Sequence, residues 1–401
     1  MSDASTLPPV LKRIERPALI GGIVLLALSA LALVLGDSGD FFRAYLLGFF
    51  LILGLTLGSM GLLFVHHLVG GAWGFIIQRM LEAATRSLPV VAALFIPLLV
   101  HVMTSEHPIY HWAEAGAADH DALLAHKAPY LNSGGFLVRA IVYFLVWFGL
   151  IFFLNRFSKR QDETGEGSLS NALGKMSGPG IVLYVFTMTF AAFDWAMSLD
   201  PHWFSTIYGV IFVVGQVLSS MAFMILVLPF ARRNAELGVA VTTDRLHDLA
   251  KLMFAFTCLW AYVQLSQFLI IWYGNLPEEI VFFHQRTTGG YEYFAFLLVF
   301  GQFVLPFLFL ISRWPKRSMK WAPRIAAWIL AVRYIDLYWY LMPHPEEAGS
   351  YDVVLHFHWV HLTAPLGLFA LWVFFFLRNV EQRPLLPHND PRWKEKLSHA
   401  H

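Results

Sequence analysis

Apolar positions along this chain fall into long unbroken runs rather than into the i, i+3, i+4 stripes of water-soluble helices. Runs of 18 or more mostly apolar residues recur, the length an α-helix needs to cross a bilayer. Amphipathic segments of the kind that build a large soluble core are scarce. The pattern predicts ten helices, at roughly 18–35, 41–65, 87–103, 136–154, 179–199, 204–229, 248–273, 291–311, 320–342 and 354–377. The expected fold class is all-α integral membrane, with residues 1–401 as a single polytopic domain ending in a tail, 378–401.

Charge between the runs adds a direction. Lys12, Arg13 and Arg16, Arg79 with Arg86, the stretches Arg156–Lys175, Arg232–Lys251 and Arg313–Arg324, and the tail from Arg378 all fall on one side. Of the 28 Lys and Arg, 23 lie there, four lie on the other side and Arg333 lies inside a helix. By the positive-inside rule both termini are expected in the cytoplasm. The opposite face is acidic and aromatic, with Glu106 to Asp121, Glu278, Glu279, Glu346, Glu347 and Asp352. Its loop 104–135 is long enough for a short surface helix. The irregular spacing of His107, His111, His120 and His126 favours a solvated or partner-contacting loop over a metal site. The first run follows a basic stretch but is long for a signal peptide and lacks a small-x-small cleavage site, so it is expected to stay as an anchor.

Two patterns occur twice. Gly48, Gly54, Ser59 and Met60 read G-x5-G-x4-S-M, and Gly209, Gly215, Ser220 and Met221 repeat that spacing. Asp194, Leu199, Pro201 and His202 read D-x4-L-x-P-H, and Asp336, Leu341, Pro343 and His344 repeat it. Each pattern returns after four predicted helices. An even number preserves chain direction, so the expectation is two parallel four-helix bundles related by an axis along the membrane normal. Helices two to five (41–199) and six to nine (204–342) form the repeats, flanked by helices one and ten. Small-residue spacing alone recurs often as helix packing; the Asp-Pro-His pair lifts the signal above that.

Acids within a membrane are costly and usually have a task. Asp194 and Asp336 each sit roughly 8–9 Å inside the acidic end of their helix, at 1.5 Å per residue. Arg333, three residues before Asp336, can pair with it. Asp194 has no charge partner on its own helix and is flanked by Phe193 and Trp195; a lone carboxyl there is expected to titrate high, as a proton carrier would. At the same level lie His101, Glu292, and His356, His358 and His361 at the opening of the tenth helix. Clustered at one depth, they read as a proton path. His66 and His67 end the second helix on the basic side. Between the two levels only neutral groups occur, including Gln216, Gln264, Gln267, Gln302, Ser59 and Ser220.

Composition closes off other chemistry. With 57% hydrophobic residues, 14% charged and a formal net charge of +1, nothing points to nucleic acid. The single cysteine, Cys258, cannot form an internal disulfide or hold an iron–sulfur cluster, and no C-x-x-C-H haem-attachment motif occurs. A haem b would need histidines facing each other on two helices. His101 with His358 or His361 meets the depth condition, but helix ten lies outside the repeats.

Segment 193–210, FDWAMSLDPHWFSTIYGV, resembles a motif of the quinol-oxidising membrane subunits of bacterial alternative complex III. Ten helices, parallel four-helix repeats and cytoplasmic termini are also similar to those subunits and to the wider NrfD and polysulfide-reductase membrane-anchor superfamily. The likeness covers essentially the whole chain, and the modest length resembles the smaller, ActF-type paralogue. That resemblance implies a complex that oxidises menaquinol or ubiquinol. Its partners would be a paralogous quinol-binding membrane subunit, an iron–sulfur subunit, multihaem cytochrome c subunits and a terminal oxidase. The acceptor implied is a cytochrome c or cupredoxin. The smaller paralogue is implied to carry no redox centre and no covalent cofactor, to sit among lipids, and to contribute to proton translocation through Asp194 and its repeat partner Asp336.

Two other readings stand beside this one. The chain would be the quinol-binding subunit if His101 and Asp194 took the two protons of quinol. A secondary transporter would also suit ten helices with intramembrane acids, although no Gly/Pro interruption coincides with a midplane charge.

Overall fold

The computed structural model describes residues 7–344 and 353–393, which are helical with no strand among them. Among the described residues, nine helices are long and apolar enough to cross a membrane. They are α1 (Pro9–Leu35), α2 (Ser38–Val69), α3 (Leu88–Thr104, with a lead-in helix Gln78–Thr85), α4 (Ser133–Thr164) and α5 (Gly167–Trp195), followed by α6 (Tyr208–Ala231), α7 (Thr243–Gly274), α8 (Glu292–Ile311) and, after a further helix, α10 (Val360–Val380). The further helix, α9 (Ala322–Leu341), has 20 residues, about 30 Å, which is enough to span. Arg324, Arg333, Asp336 and a run of Tyr and Trp lower its hydropathy, and its central residues are buried inside the protein instead of facing lipid.

The predicted runs differ from the helices mainly at their ends. The first begins at Pro9, so the basic stretch Lys12–Arg16 is itself helical. The tenth begins at Val360, which leaves His356 and His358 in the connection before it and only His361 in its first turn. Loop 104–135 holds two short helices, Ala117–His120 and Ala122–Lys127. Glu346, Glu347, Asp352 and the end of the tail lie outside the described residues.

Helices hydrophobic on every side belong either in lipid or in a core, and this chain uses both solutions. In α2, 94% of the span window is buried, and in α6 83%. These two helices pack along each other at the centre, with α5, α7, α9 and α10 around them. In α1 only 17% is buried, because it leans chiefly on α10. Small residues mark where α2 and α6 cross, Gly54 and Ser220 of the repeated pattern among them. A Cβ on Gly58 would run into the Gln216 backbone carbonyl, and the Ser220 hydroxyl donates to the carbonyls of Leu55 (2.9 Å) and Gly54 (3.2 Å) on the other helix. Close backbone approach by small residues is the usual means of joining helices where lipid removes the hydrophobic drive.

In the middle of α8 the backbone widens into a π-helical turn at Leu298–Val304. The turn leaves the Gly301 carbonyl available to the Trp328 indole of α9, 2.7 Å away.

Candidate functional site

Hydrogen bonds between connections define two faces. On the acidic face, Tyr110 donates to the Trp195 carbonyl (2.8 Å), Lys127 to the Pro201 carbonyl (2.6 Å) and Leu355 to the Gly289 carbonyl (2.8 Å). The two repeated aspartates lie below this face, both fully buried.

Asp194 is not the lone carboxyl that its own helix suggested. Arg139 and Tyr143, one turn apart near the start of α4, both aim at its Oδ2, the guanidinium Nε at 2.8 Å and the phenol at 2.7 Å. The counter-charge missing from its own helix is therefore supplied by α4. Asp194 Oδ1 has no hydrogen-bond partner among the described residues. Arg139 leads outward: its side chain is 20% exposed, it donates to the Tyr130 carbonyl (2.8 Å), and its guanidinium stacks 3.9 Å from the Tyr130 ring centre. Beside this group lies a cleft of about 320 Å³ lined by Tyr130, Phe190, Phe193, Ser198, Trp203 and Phe204, among others.

Asp336 makes a different set of bonds. Arg333 on the same helix pairs with Oδ2, as the three-residue spacing predicts, and Trp260 of α7 donates to the same oxygen at 3.0 Å. Gln264 of α7 donates to Oδ1 at 3.2 Å. Tyr340 then donates to Gln264 and, at 3.3 Å, to Gln267. The Arg333 guanidinium lies flat against Gly215, where any side chain would collide with it. This explains the second glycine of that motif. The next residue, Gln216, accepts the Tyr184 hydroxyl at 2.9 Å. Among the described residues no hydrogen bond carries this polar group on to His66 or His67.

The two motif histidines also diverge. His202 is exposed and lies 2.5 Å from Asp121, whose carboxyl is held below its ordinary range by the Leu124 backbone N–H and by His202. Among the described residues, His344 Nδ1 donates to the Met342 carbonyl (2.8 Å), and burial pushes its imidazole down to about 4. At the ends of the aspartate helices, Tyr110 serves the Trp195 carbonyl, whereas Arg286 serves those of Trp339 (3.1 Å) and Tyr340 (2.9 Å). Arg286 is buried on the Phe282 ring, and desolvation lowers its guanidinium from the ordinary arginine value.

The remaining candidates separate into three places. His361, His358 and His356 meet two aspartates from the α1–α2 connection and the first turn of α2: His361 with Asp40 at 3.1 Å, His358 with Asp37 at 3.4 Å, and His356 with Asp40 at 3.9 Å. Tyr338 of α9 lies 3.2 Å from His361 Nδ1. His101 stacks on Phe42 (3.7 Å between ring centres, 12°) and accepts the Ile109 N–H at 3.2 Å; no contact joins it to Asp194. Glu292 is exposed and accepts the Gly290 N–H at 2.7 Å, a local turn bond apart from the histidines. His66 and His67 are buried on the basic side against each other, with Trp73 and Phe75 around His66. Both His66 ring nitrogens lack a partner among the described residues.

Arg139, Tyr143, Asp37 and Asp40 escaped sequence reading. Arg139 and Tyr143 are four residues apart on one helix face at the depth of Asp194, and that spacing is the signal that could have found them. Asp37 and Asp40 bracket the start of a span, where acids suit the helix dipole and draw no notice. No group of three or more metal-ligating side chains occurs among the described residues. The chain matches no protein-family model and no curated protein.

Proposed function

We propose that this chain is an integral-membrane subunit of a quinol:electron-acceptor oxidoreductase, supplying a proton route and a scaffold while partner subunits carry the redox centres. The observation that carries the proposal is the buried Asp194, with one oxygen held by Arg139 and Tyr143 and the other unpartnered. It sits in the segment 193–210 that resembles the alternative complex III motif. A buried carboxylate tethered to a partly exposed arginine has both a store for a proton and a connection to the surface. Asp336 with Gln264, Tyr340 and Gln267 forms the counterpart in the second repeat, and the neutral groups between this level and His66 and His67 would relay protons through intervening water.

The proposed layout is two parallel repeats, α2–α5 and α6–α9. Matching packing supports it, since α5 lies on α2 as α9 lies on α6, and α4 lies on α5 as α8 lies on α9. The proposed orientation, with both termini cytoplasmic, rests on the charge asymmetry, and the proposed bacterial inner membrane rests on the resemblance. The implied partners are the paralogous quinol-binding subunit, the iron–sulfur subunit and the multihaem cytochromes.

A second reading has one observation in its favour. The aromatic cleft of about 320 Å³ beside Asp194 has the shape and lining for a quinol ring, which would make this chain the quinol-binding subunit. His101 takes no part in that version.

The test is proton release per electron by the whole complex in liposomes, wild type against Asp194→Asn. Fewer protons per electron with turnover retained supports a translocation route through Asp194. Proportional loss of both favours quinol oxidation at the cleft, and unchanged values reduce Asp194 to a structural residue.

A further inference from the structure

On the basic face, away from both aspartates, the end of the lead-in helix, α4 and the end of α10 enclose a groove of about 550 Å³. Four cationic side chains line it, Arg86, Arg156, Lys159 and Arg383, and no acidic side chain does. The carboxylate behind the groove, Glu82, is fully used: Arg79 donates to it at 2.8 Å, Arg383 at 3.2 Å and Ser158 at 2.6 Å. Lys159 reaches Glu163 only at 3.9 Å, with both side chains exposed. Arg86 and Arg156 have no carboxylate partner among the described residues; Arg86 donates to Asn155 Oδ1 (3.3 Å) and to the Asn379 carbonyl and so lends the groove its charge, whereas Arg156 is exposed. The rest of the lining is largely apolar, including Leu88, Pro89, Phe148 and Phe152, and Phe152, one turn before Arg156 on α4, is 55% exposed.

We propose that this groove binds the headgroup of an anionic diacyl phospholipid. Charge complementarity selects a phosphate-bearing group, since guanidinium forks match phosphate oxygens. The apolar wall selects a lipid over a free anion, because it continues the surface on which acyl chains would lie. Basic pockets between spans at the positively charged face are the usual seat of such headgroups. A bound lipid would bridge the lead-in helix, α4 and α10, which already share the Asn155–Thr85 (3.2 Å) and Asn379–Ser87 (3.2 Å) bonds.

The experiment is native mass spectrometry of the full-length chain in non-ionic detergent, titrated with phosphatidylglycerol or with phosphatidylethanolamine of the same acyl chains. Wild type is expected to retain phosphatidylglycerol preferentially. R156Q/K159Q changes only exposed groove side chains and is expected to weaken that retention by about tenfold or more, given the usual worth of a cation at a lipid surface. R160Q/K175Q, exposed on the same face outside the groove, is expected to leave it unchanged. Equal loss in both variants, equal retention of the two lipids, or retention of inorganic phosphate without phosphatidylglycerol would overturn the proposal.

Discussion

Asp194 and Asp336 occupy the same place in a repeated motif, at the same depth, and both are shut off from solvent, yet they are neutralised in different ways. Asp336 is held from inside: its arginine is on its own helix, pressed on Gly215, and an indole and an amide from α7 complete the shell. Asp194 is held from outside: its arginine comes from α4, remains part exposed and stacks on an exposed tyrosine, while one carboxylate oxygen stays unpartnered. One site is a closed knot in the core and the other keeps a link to the acidic face. The difference teaches that a duplicated acid need not keep a duplicated task, since the neighbouring helices decide whether its charge is locked or handed on.

The sharpest way to break this comparison is to remove each acid in turn. Asp336→Leu strands a buried arginine and is expected to cost about 3–5 kcal/mol in unfolding measurements in detergent. Replacing both members, R333L/D336L, is expected to recover most of that loss, because an uncompensated charge is more costly than a missing pair. If the double variant is as unstable as the single one, Arg333 and Asp336 are not the closed unit described here.

Asp194→Asn is expected to cost only about 1 kcal/mol, since Arg139 can turn toward solvent and keep its Tyr130 contacts. Denaturation of the two single variants side by side checks the ranking, and equal losses would erase the distinction between locked and open sites.

The smallest effect belongs to the surface end of the first motif. The folded Asp121 carboxyl lies below its ordinary value of 3.8 because of the Leu124 N–H and His202. A lowered acid stabilises the fold above that ordinary value, and its contribution fades as pH falls through the lower folded value. The protection factors of the Leu123 and Leu124 amides, taken against intrinsic exchange at each pH, are therefore expected to fall only in strong acid for wild type. In Asp121→Ala they are expected to be low at every pH; high protection in that variant would remove the cap from the account.

Much of the fold was legible in the sequence because bilayer crossing is a property of local composition: eighteen apolar residues carry the message wherever they lie. Helix ends were less legible, since polar residues such as Lys12 to Arg16 continue a helix as readily as they leave it. In the site, the Arg333–Asp336 pair followed from spacing along one helix. The Asp194–Arg139–Tyr143 group, the His361–Asp40 pair and the isolation of His101 and Glu292 did not, because each depends on which way a neighbouring helix or connection is turned.

By itself, then, the sequence determined the spans, the sorting of charge between two faces, and the existence of two matched acids, all of which are written in consecutive residues. Tertiary structure alone decided which cation meets which acid. A helix turns about 100° per residue, so partners on different helices are chosen by rotation and packing over the whole chain. A partner three residues along the same helix requires neither.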